Sequence, residues 1–441
     1  MSGARFKEFL LKVTSKVKAK EAHPMIEKEL TNHYHMLSET FQADGRLKED
    51  AEKKAIKEMG NPFTLGENLN RIHKPKMDWL LVVLFVILAA ISFLPIMNGV
   101  PGFPNDTTYF INRQIIGYTF AVLIIGGLLF FDYRKLQNLW IVFYVFALLL
   151  HIYTGLFGVT VWGSKNWIHI LGISIDTSIV TLFLFFLAWA GIFSKINKFS
   201  SWKKQVVLFF LFWIPILSYI MIPNYGLMTI YFFTIMLMFL FSSVHKRLAI
   251  QLVTVNLTAF VIFLTVFIAL PSNEYIFQRL SVFLNPTIDQ AGNGYWYLLL
   301  QEIFAQSGWF GHGLDAIPSV PSMHTDFPFL FLVHTLGWAF GIILCLILLT
   351  FIVRISRNAF KTKDLYGRLL VIGGTTLFAV PTCWNILMGF GLLPITKMYL
   401  PIISYGNTML IIYAAIIGLI LSVYRRKDLV EPTIKMQKTI K

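Results

Sequence analysis

Acidic residues are scarce beyond the first 78 positions of this 441-residue chain, and one of them sits where a carboxylate could act as a base. Asp326 lies in Pro321-Ser322-Met323-His324-Thr325-Asp326-Phe327, where a polar stretch meets a long apolar run. A carboxylate at such a boundary is partly desolvated, which raises its pKa toward general-base duty. The same position also suits a helix N-cap, for which Asp is a preferred residue. Four isolated cations, Arg113, Lys165, Arg279 and Lys397, stand in loops otherwise poor in positive charge. They are candidates for contact with an anionic group, and equally for anchoring at a membrane interface. The glycine-rich stretch Gly308 to Gly313 lacks the Lys-Ser/Thr ending of a P-loop, so nucleotide binding is set aside. Cys345 and Cys383 lie in apolar runs and read as small core residues, which excludes a disulfide scaffold or a Cys-rich metal site. His23, His33 and His35 cluster near the start of the chain, but no carboxylate or Cys completes a metal site there at ligand spacing.

The elements that position these residues are read from composition. The chain is 56% hydrophobic, 16% aromatic and only 14% charged, against about 25% charged in ordinary soluble domains. Those figures exclude disorder, a coiled coil and a soluble enzyme. They specify an all-α polytopic membrane protein. Apolar runs of spanning length fall at about 78–97, 114–131, 138–158, 173–193, 205–223, 226–243, 249–270, 328–353, 369–391 and 401–424, which predicts ten transmembrane helices. Trp162, Trp167 and Trp202 fit interfacial belts.

The charge of +15 is then a matter of topology. One set of loops carries Arg134, Lys135, Lys195, Lys198, Lys203, Lys204, Lys246, Arg247, Arg354, Arg357, Lys361, Lys363, Arg368 and the basic tail over 426–441. The opposite set carries the four isolated cations alone. The positive-inside rule makes the first set cytoplasmic, with both termini, in a multi-pass plasma-membrane protein. Asp326 falls on the outer face with Asp106, Asp176, Glu274, Asp289, Glu302 and Asp315. The loop over 271–327 is long, and long loops in compact proteins usually carry function.

Residues 1–76 differ from the membrane region 77–425. They hold 15 Lys+Arg and 11 Asp+Glu, nearly half of the chain's charge. Phe6, Phe9, Leu10 and Val13 recur at helical spacing. A second helix is expected from Pro24 to Phe41 and a third from Arg46 to Met59, ended by Gly60-Asn61-Pro62. The segments His23 to Leu30, Met59 to Pro62 and Leu65-Gly66 resemble the helical prefix domains found before some Gram-positive permeases.

Several blocks in order resemble the SEDS family, the FtsW/RodA/SpoVE group of cell-wall proteins. Arg113-Gln114 with Asp132-Tyr133-Arg134-Lys135-Leu136 is similar to its first block. Gly163-Ser164-Lys165-Asn166-Trp167-Ile168, Phe283-Leu284-Asn285-Pro286, Gly294-Tyr295 and Gly308-Trp309-Phe310-Gly311-His312-Gly313-Leu314 follow. His324-Thr325-Asp326-Phe327 matches the His-Thr-Asp-Phe signature outright. Gly391 to Thr396 and Leu400-Pro401-Ile402-Ile403-Ser404-Tyr405-Gly406 match the last block.

The resemblance implies a peptidoglycan glycosyltransferase that polymerises lipid II, the undecaprenyl-pyrophosphate-linked disaccharide-pentapeptide. It implies Asp326 as the catalytic residue and, taken with the scarcity of outer-face cations, puts Arg113, Lys165, Trp167, Arg279, His324, Thr325, Ser404 and Tyr405 in substrate binding. It also implies a class B penicillin-binding protein as partner. No nucleic acid is expected, and a divalent cation is an alternative source of positive charge for the leaving pyrophosphate. The chain departs from the family where Gln-Pro-Ser-Glu-Phe-x-Lys becomes Asp176-Thr177-Ser178-Ile179-Val180-Thr181-Leu182, losing Glu and Lys. Pro-Glu before His-Thr-Asp becomes Pro321-Ser322, and Glu-Glu-x-Gly becomes His334-Thr335-Leu336-Gly337. Lys397 replaces a usual glycine. Asp176, placed one turn into the fourth helix, is expected to stand in for the lost Glu. His334, about two turns beyond Asp326, is expected on its face as a polar partner. These losses keep a weakly catalytic regulatory paralogue as the rival reading, and a lipid-linked precursor transporter as a weaker one.

Overall fold

The computed structural model describes residues 2–97, 99–100, 107–161, 164–170, 172–196, 201–244, 246–271, 274–316, 320 and 322–427. Asp106, Trp162, Gly163, Lys198, Pro321 and the tail after residue 427 therefore lie outside the described residues. The chain forms two compact units.

The first unit holds Met1–Asp78, Lys361–Asp364 and the chain from Val423. It contains four amino-terminal helices, α1 (Ser2–Lys16), α2 (His23–Ala43), α3 (Lys48–Glu58) and α4 (Pro62–Ile72), rather than the three expected. Gly60 does end α3, with φ 79°. Pro62, however, is not a stop. Asn61 caps a new helix by accepting the Phe63 N–H at 2.9 Å, and Pro62 takes the first helical position, where its missing N–H costs nothing. The helical spacing in α1 buries Phe6, Phe9 and Val13 against Ile26, Tyr34 and Ala55, with the Phe6 and Tyr34 rings stacked at 4.1 Å. The imidazole of His23 is used locally, bonded to the Val17 carbonyl at 2.8 Å. Glu21 accepts both Nε and an Nη of Arg426, at 2.6 and 2.9 Å, and Arg426 is buried.

The second unit is a helical membrane domain. Its elements are α5 (Trp79–Ile91), α6 (Leu94–Met97), α7 (Thr107–Phe130), α8 (Trp140–Phe157), α9 (Thr177–Ser194), α10 (Trp202–Met221), α11 (Tyr225–Leu240), α12 (Lys246–Ala269), α13 (Glu274–Leu284), α14 (Tyr295–Gln306), α15 (Pro328–Lys361), α16 (Leu365–Gly389) and α17 (Asn407–Arg426). Among the described residues nine helical segments are long and apolar enough to cross a membrane. The tenth expected run is α11, which is apolar but has only 16 residues. At 1.5 Å per residue it reaches about 24 Å, short of a hydrocarbon core of about 30 Å.

Burial sorts these helices. α9, α11, α16 and α17 are largely buried, whereas α7, α8, α10 and α12 expose most of their apolar side chains, as lipid-facing helices do. The buried helices are the ones whose ends carry the candidate site.

Two local departures from the expected helices matter. Residues 159–176 form a small antiparallel sheet of β1 (Val159–Val161), β2 (Ser164–Ile170) and β3 (Ile173–Asp176), with Trp167 opposite Asp176. Ile173-Ser174-Ile175 alternates with a period of two, and that pattern wins over the helix expected from residue 173. Asp176 is therefore the N-cap of α9 and not one turn inside it.

The second departure is a break in α15 at Gly337, where φ is 84° and ψ 172°. The loop 308–313 docks on the break and takes up its freed polar groups. His312 N–H donates to His334 O at 3.1 Å and Gly313 N–H to Thr335 O at 2.9 Å, while Trp338 N–H reaches Gly308 O at 3.0 Å. Broken backbone at membrane depth survives only when such partners exist. Both segments need glycine here. A Cβ on Gly337 would lie 2.2 Å from the Trp309 carbonyl oxygen, and one on Gly311 would lie 2.4 Å from that of Thr335.

Candidate active site

Asp326 is held by a tight turn. Ser322 takes a left-handed φ of 59°, and its carbonyl accepts Thr325 N–H at 3.0 Å, Asp326 N–H at 2.8 Å and Thr325 Oγ1 at 3.0 Å. The segment 396–405 is bolted to this turn. Ser404 Oγ donates to Thr325 O at 2.6 Å and accepts Leu400 N–H at 2.8 Å, and Tyr405 N–H donates to His324 O at 2.9 Å. From α16, Asn385 Nδ2 donates to Asp326 O at 2.8 Å and to Met398 O at 2.5 Å. Thr325, Ser404 and Tyr405 thus meet in one place, although Thr325 and Ser404 act through backbone links rather than as open groups. A second brace comes from α7, where Tyr118 donates to the carbonyl of Ile402, itself at a left-handed φ of 70°.

The N-cap alternative for Asp326 does not hold. α15 starts at Pro328, so Asp326 stands one residue ahead of the cap position, and among the described residues no N–H of the first turn bonds its carboxyl. Burial pushes that carboxyl up to about 6, and the Lys397 ammonium opposes the rise. Asp176 is raised to about 6 by burial as well, opposed by the N–H groups of Ser178 and Ile179 and by Lys397. Lys397 is lowered by its own burial and raised by the two carboxylates. Tyr399 is driven far up by burial and by both negative charges. Asn166, Trp167, Asp176, Asn224, Lys397 and Tyr399 line one cleft. Lys397, an outlier among the family blocks, is therefore at the centre of the charge arrangement.

The other expected cations separate. Arg113 lies over the Tyr109 ring at 5.2 Å and donates to its hydroxyl at 2.6 Å. Next to it the Phe110 ring is 5.7 Å from His324 and 5.3 Å from Tyr405, and the guanidinium acts electrostatically on the Tyr405 hydroxyl. Arg113, His324 and Tyr405 thus form one patch beside Asp326. Burial lowers His324 to about 4, so the ring is neutral at ordinary pH and offers hydrogen bonds rather than charge. Lys165 Nζ donates to the carbonyls of Gly155 and Leu156, at 2.8 and 3.1 Å, and so caps the end of α8. Arg279 lies over Tyr275 at 5.6 Å on α13, is exposed, and acts electrostatically on Tyr297, whose hydroxyl accepts Ile395 N–H at 3.0 Å.

His334 is not a partner of Asp326. Its ring lies 4.8 Å from that of His312, because the break at Gly337 brings the 308–313 loop against this part of α15. Sequence reading missed Asn385, although a lone amide inside an apolar run was a visible signal. It also missed Tyr399. Among the described residues no group of three His, Cys, Asp or Glu gathers as a metal site.

The arrangement offers one poised carboxylate, a second carboxylate sharing its lysine, and an arginine–aromatic patch. That set suits removal of a proton from a hydroxyl beside an anionic group.

Known proteins with this geometry can now be compared. Residues 75–429 match the FtsW/RodA/SpoVE family, described as cell cycle protein. Stage V sporulation protein E of Bacillus subtilis is 26% identical over 373 residues, covering 80% of this chain and 98% of that protein. A probable peptidoglycan glycosyltransferase FtsW of Alcanivorax borkumensis is 31% identical over 275 residues, covering 60% and 69%. Among solved structures, a chain of a peptidoglycan synthase complex superimposes with a TM-score of 0.67 at 21% identity, covering 80% and 98%. The rod shape determining protein RodA of Thermus thermophilus gives 0.59 at 18% identity, covering 80% and 97%. The matched span takes in the whole membrane domain and the His-Thr-Asp turn, and this chain belongs to the FtsW/RodA/SpoVE family.

Proposed function

We propose that this protein is a peptidoglycan glycosyltransferase that polymerises lipid II at the outer face of the cytoplasmic membrane. The observation that carries this reading is a desolvated, uncapped Asp326 held rigidly by Ser322, Asn385 and Ser404 at the end of a membrane domain. A relative, the probable peptidoglycan glycosyltransferase FtsW of Alcanivorax borkumensis, carries a name that agrees.

In the proposed step Asp326 takes the proton of an acceptor sugar hydroxyl. The hydroxyl oxygen bonds to the anomeric carbon of the donor, and the bond from that carbon to the pyrophosphate oxygen breaks. The pyrophosphate leaves with the electron pair, so charge and atoms balance. Arg113 is the first candidate to receive the leaving charge, since it stands in the same patch as His324 and Tyr405. Lys165 is committed to the end of α8 and contributes position rather than charge. Trp167 offers an apolar wall to a sugar face. The charge distribution supports an outward-facing site with both termini cytoplasmic. A class B penicillin-binding protein is the partner this reading implies, in keeping with the synthase complex whose chain it resembles.

The test is purified full-length protein with lipid II, alone and with a class B penicillin-binding protein, comparing wild type with Asp326→Asn. Wild type should form glycan strands, and the variant should lose at least about 10²-fold in rate. Equal activity of the two would remove Asp326 from the mechanism. Inactivity of wild type under conditions that activate a related enzyme would remove the glycosyltransferase reading and favour a regulatory paralogue.

A further inference from the structure

Lys397 comes from a segment with no helix of its own, yet it is fixed on several sides. Asn385 of α16 bonds the carbonyl of the next residue, Met398, with the same amide that bonds Asp326. At the start of α11, a Cβ on Gly226 would lie 3.2 Å from the Lys397 carbonyl oxygen, so that helix abuts the segment directly. Asp176 arrives from α9, its backbone N–H reaching Thr408 Oγ1 of α17 at 3.4 Å. The cleft that Lys397 and Asp176 line also contains Asn166, which is 2% exposed and whose Oδ1 has no hydrogen-bond partner. Lys397 feels the charges of Asp326 from the His-Thr-Asp turn and of Asp176 from the start of α9, and Tyr399 of its own segment feels the same two. Tyr219 of α10 lies behind Asp176 and feels its charge.

We propose that Lys397 is a positioning residue, the single cation that Asp326 and Asp176 share, and that this sharing decides how readily Asp326 serves as a base. This rests on the glycosyltransferase reading above. One ammonium between two carboxylates leaves the trio with one net negative charge. When Asp326 accepts a proton the trio becomes neutral, and Asp176 keeps the opposing charge on the ammonium. Asp176 is thereby a reservoir for the lysine's charge, and holds the ammonium in place through the reaction.

The test uses full-length protein in lipid nanodiscs. The variants are Lys397→Gln, Lys397→Arg and Asp176→Asn. The last keeps an N-cap on α9, since Asn caps as well as Asp. Two readouts are taken across pH: the initial rate of lipid II polymerisation, and the protonation of the Asp326 carboxyl by difference infrared spectroscopy against Asp326→Asn. Lys397→Gln should move the Asp326 midpoint upward by about one unit or more, because a nearby opposite charge has been removed. Lys397→Arg should leave it within a few tenths. Asp176→Asn should move it downward, because the ammonium then serves Asp326 alone. An unmoved midpoint in Lys397→Gln, or an upward move in Asp176→Asn, overturns the proposal. If Lys397→Gln does not fold, the other two variants decide. If wild type makes no polymer, the glycosyltransferase reading fails by itself, and the infrared midpoints still judge the role of Lys397.

Discussion

Asn385 is the residue on which the site's geometry most depends, and replacing it tests the description directly. Its amide donates to two carbonyls, Asp326 O at 2.8 Å and Met398 O at 2.5 Å, and its side chain is buried. Asn385→Ala removes both donors and leaves two shielded carbonyls unsatisfied. Each such loss costs about 1–3 kcal/mol, so the variant should be destabilised by roughly 2–6 kcal/mol. The catalytic consequence should be larger than the stability loss suggests. Asp326 and Lys397 are tied together through this amide, and a displacement of about 1 Å at a reacting group can lower a rate on the order of 10²-fold. Asn385→Asp should be at least as harmful, since an acceptor would then face two acceptors. The neighbouring Trp384→Phe is the control. It removes one bond, to Pro394 O at 3.2 Å, from the same turn of α16, and should keep most activity. The assay is lipid II polymerisation in nanodiscs alongside thermal unfolding followed by intrinsic fluorescence. A folded Asn385→Ala protein working within about twofold of wild type would refute the claim that this amide sets the site.

Activity should fall as pH drops through about 6, where Asp326 takes up its proton, and a rate still rising below pH 5 would contradict a carboxylate base. Asp326→Asn should raise the unfolding temperature at neutral pH while abolishing turnover. A carboxyl raised from its ordinary value to about 6 in the folded state disfavours folding once pH passes that range, by at most roughly 2–3 kcal/mol, and the gain should vanish below about pH 4. Gly337→Ala should destabilise the membrane domain by about 3 kcal/mol or more, from a φ of 84° and a Cβ 2.2 Å from the Trp309 oxygen, measurable as a lowered unfolding temperature. Lys165→Gln should lose only about 0.5–1 kcal/mol of stability and leave the lipid II dependence of the rate unchanged, because its ammonium is spent on the end of α8. A raised half-saturation concentration would instead make Lys165 a phosphate ligand.

The amino-acid sequence by itself determined the membrane class, the order of the apolar runs and the boundary position of Asp326. Those follow from local properties, since spanning length, charge bias between loops and a loop-to-apolar junction can be counted along a chain. Its blocks also brought Thr325, Ser404 and Tyr405 into one reading before their bonds were visible. The strand at 173–176 and the helix after Gly60 have local signals as well, a two-residue alternation inside a long apolar window and an Asn-Pro cap that resembles a stop. Only the tertiary structure decided the charges. Lys397, Asp176 and Asp326 are separated by as many as 221 positions, and their mutual fields depend on distance and desolvation in space rather than along the chain. The same holds for His334, which periodicity places on the face of Asp326: Asp326 stands in a turn ahead of α15, and the loop that docks at Gly337 brings His312 to His334. Asn385 makes the point most simply, because an amide in an apolar helix acquires its meaning from the two carbonyls that other segments bring to it.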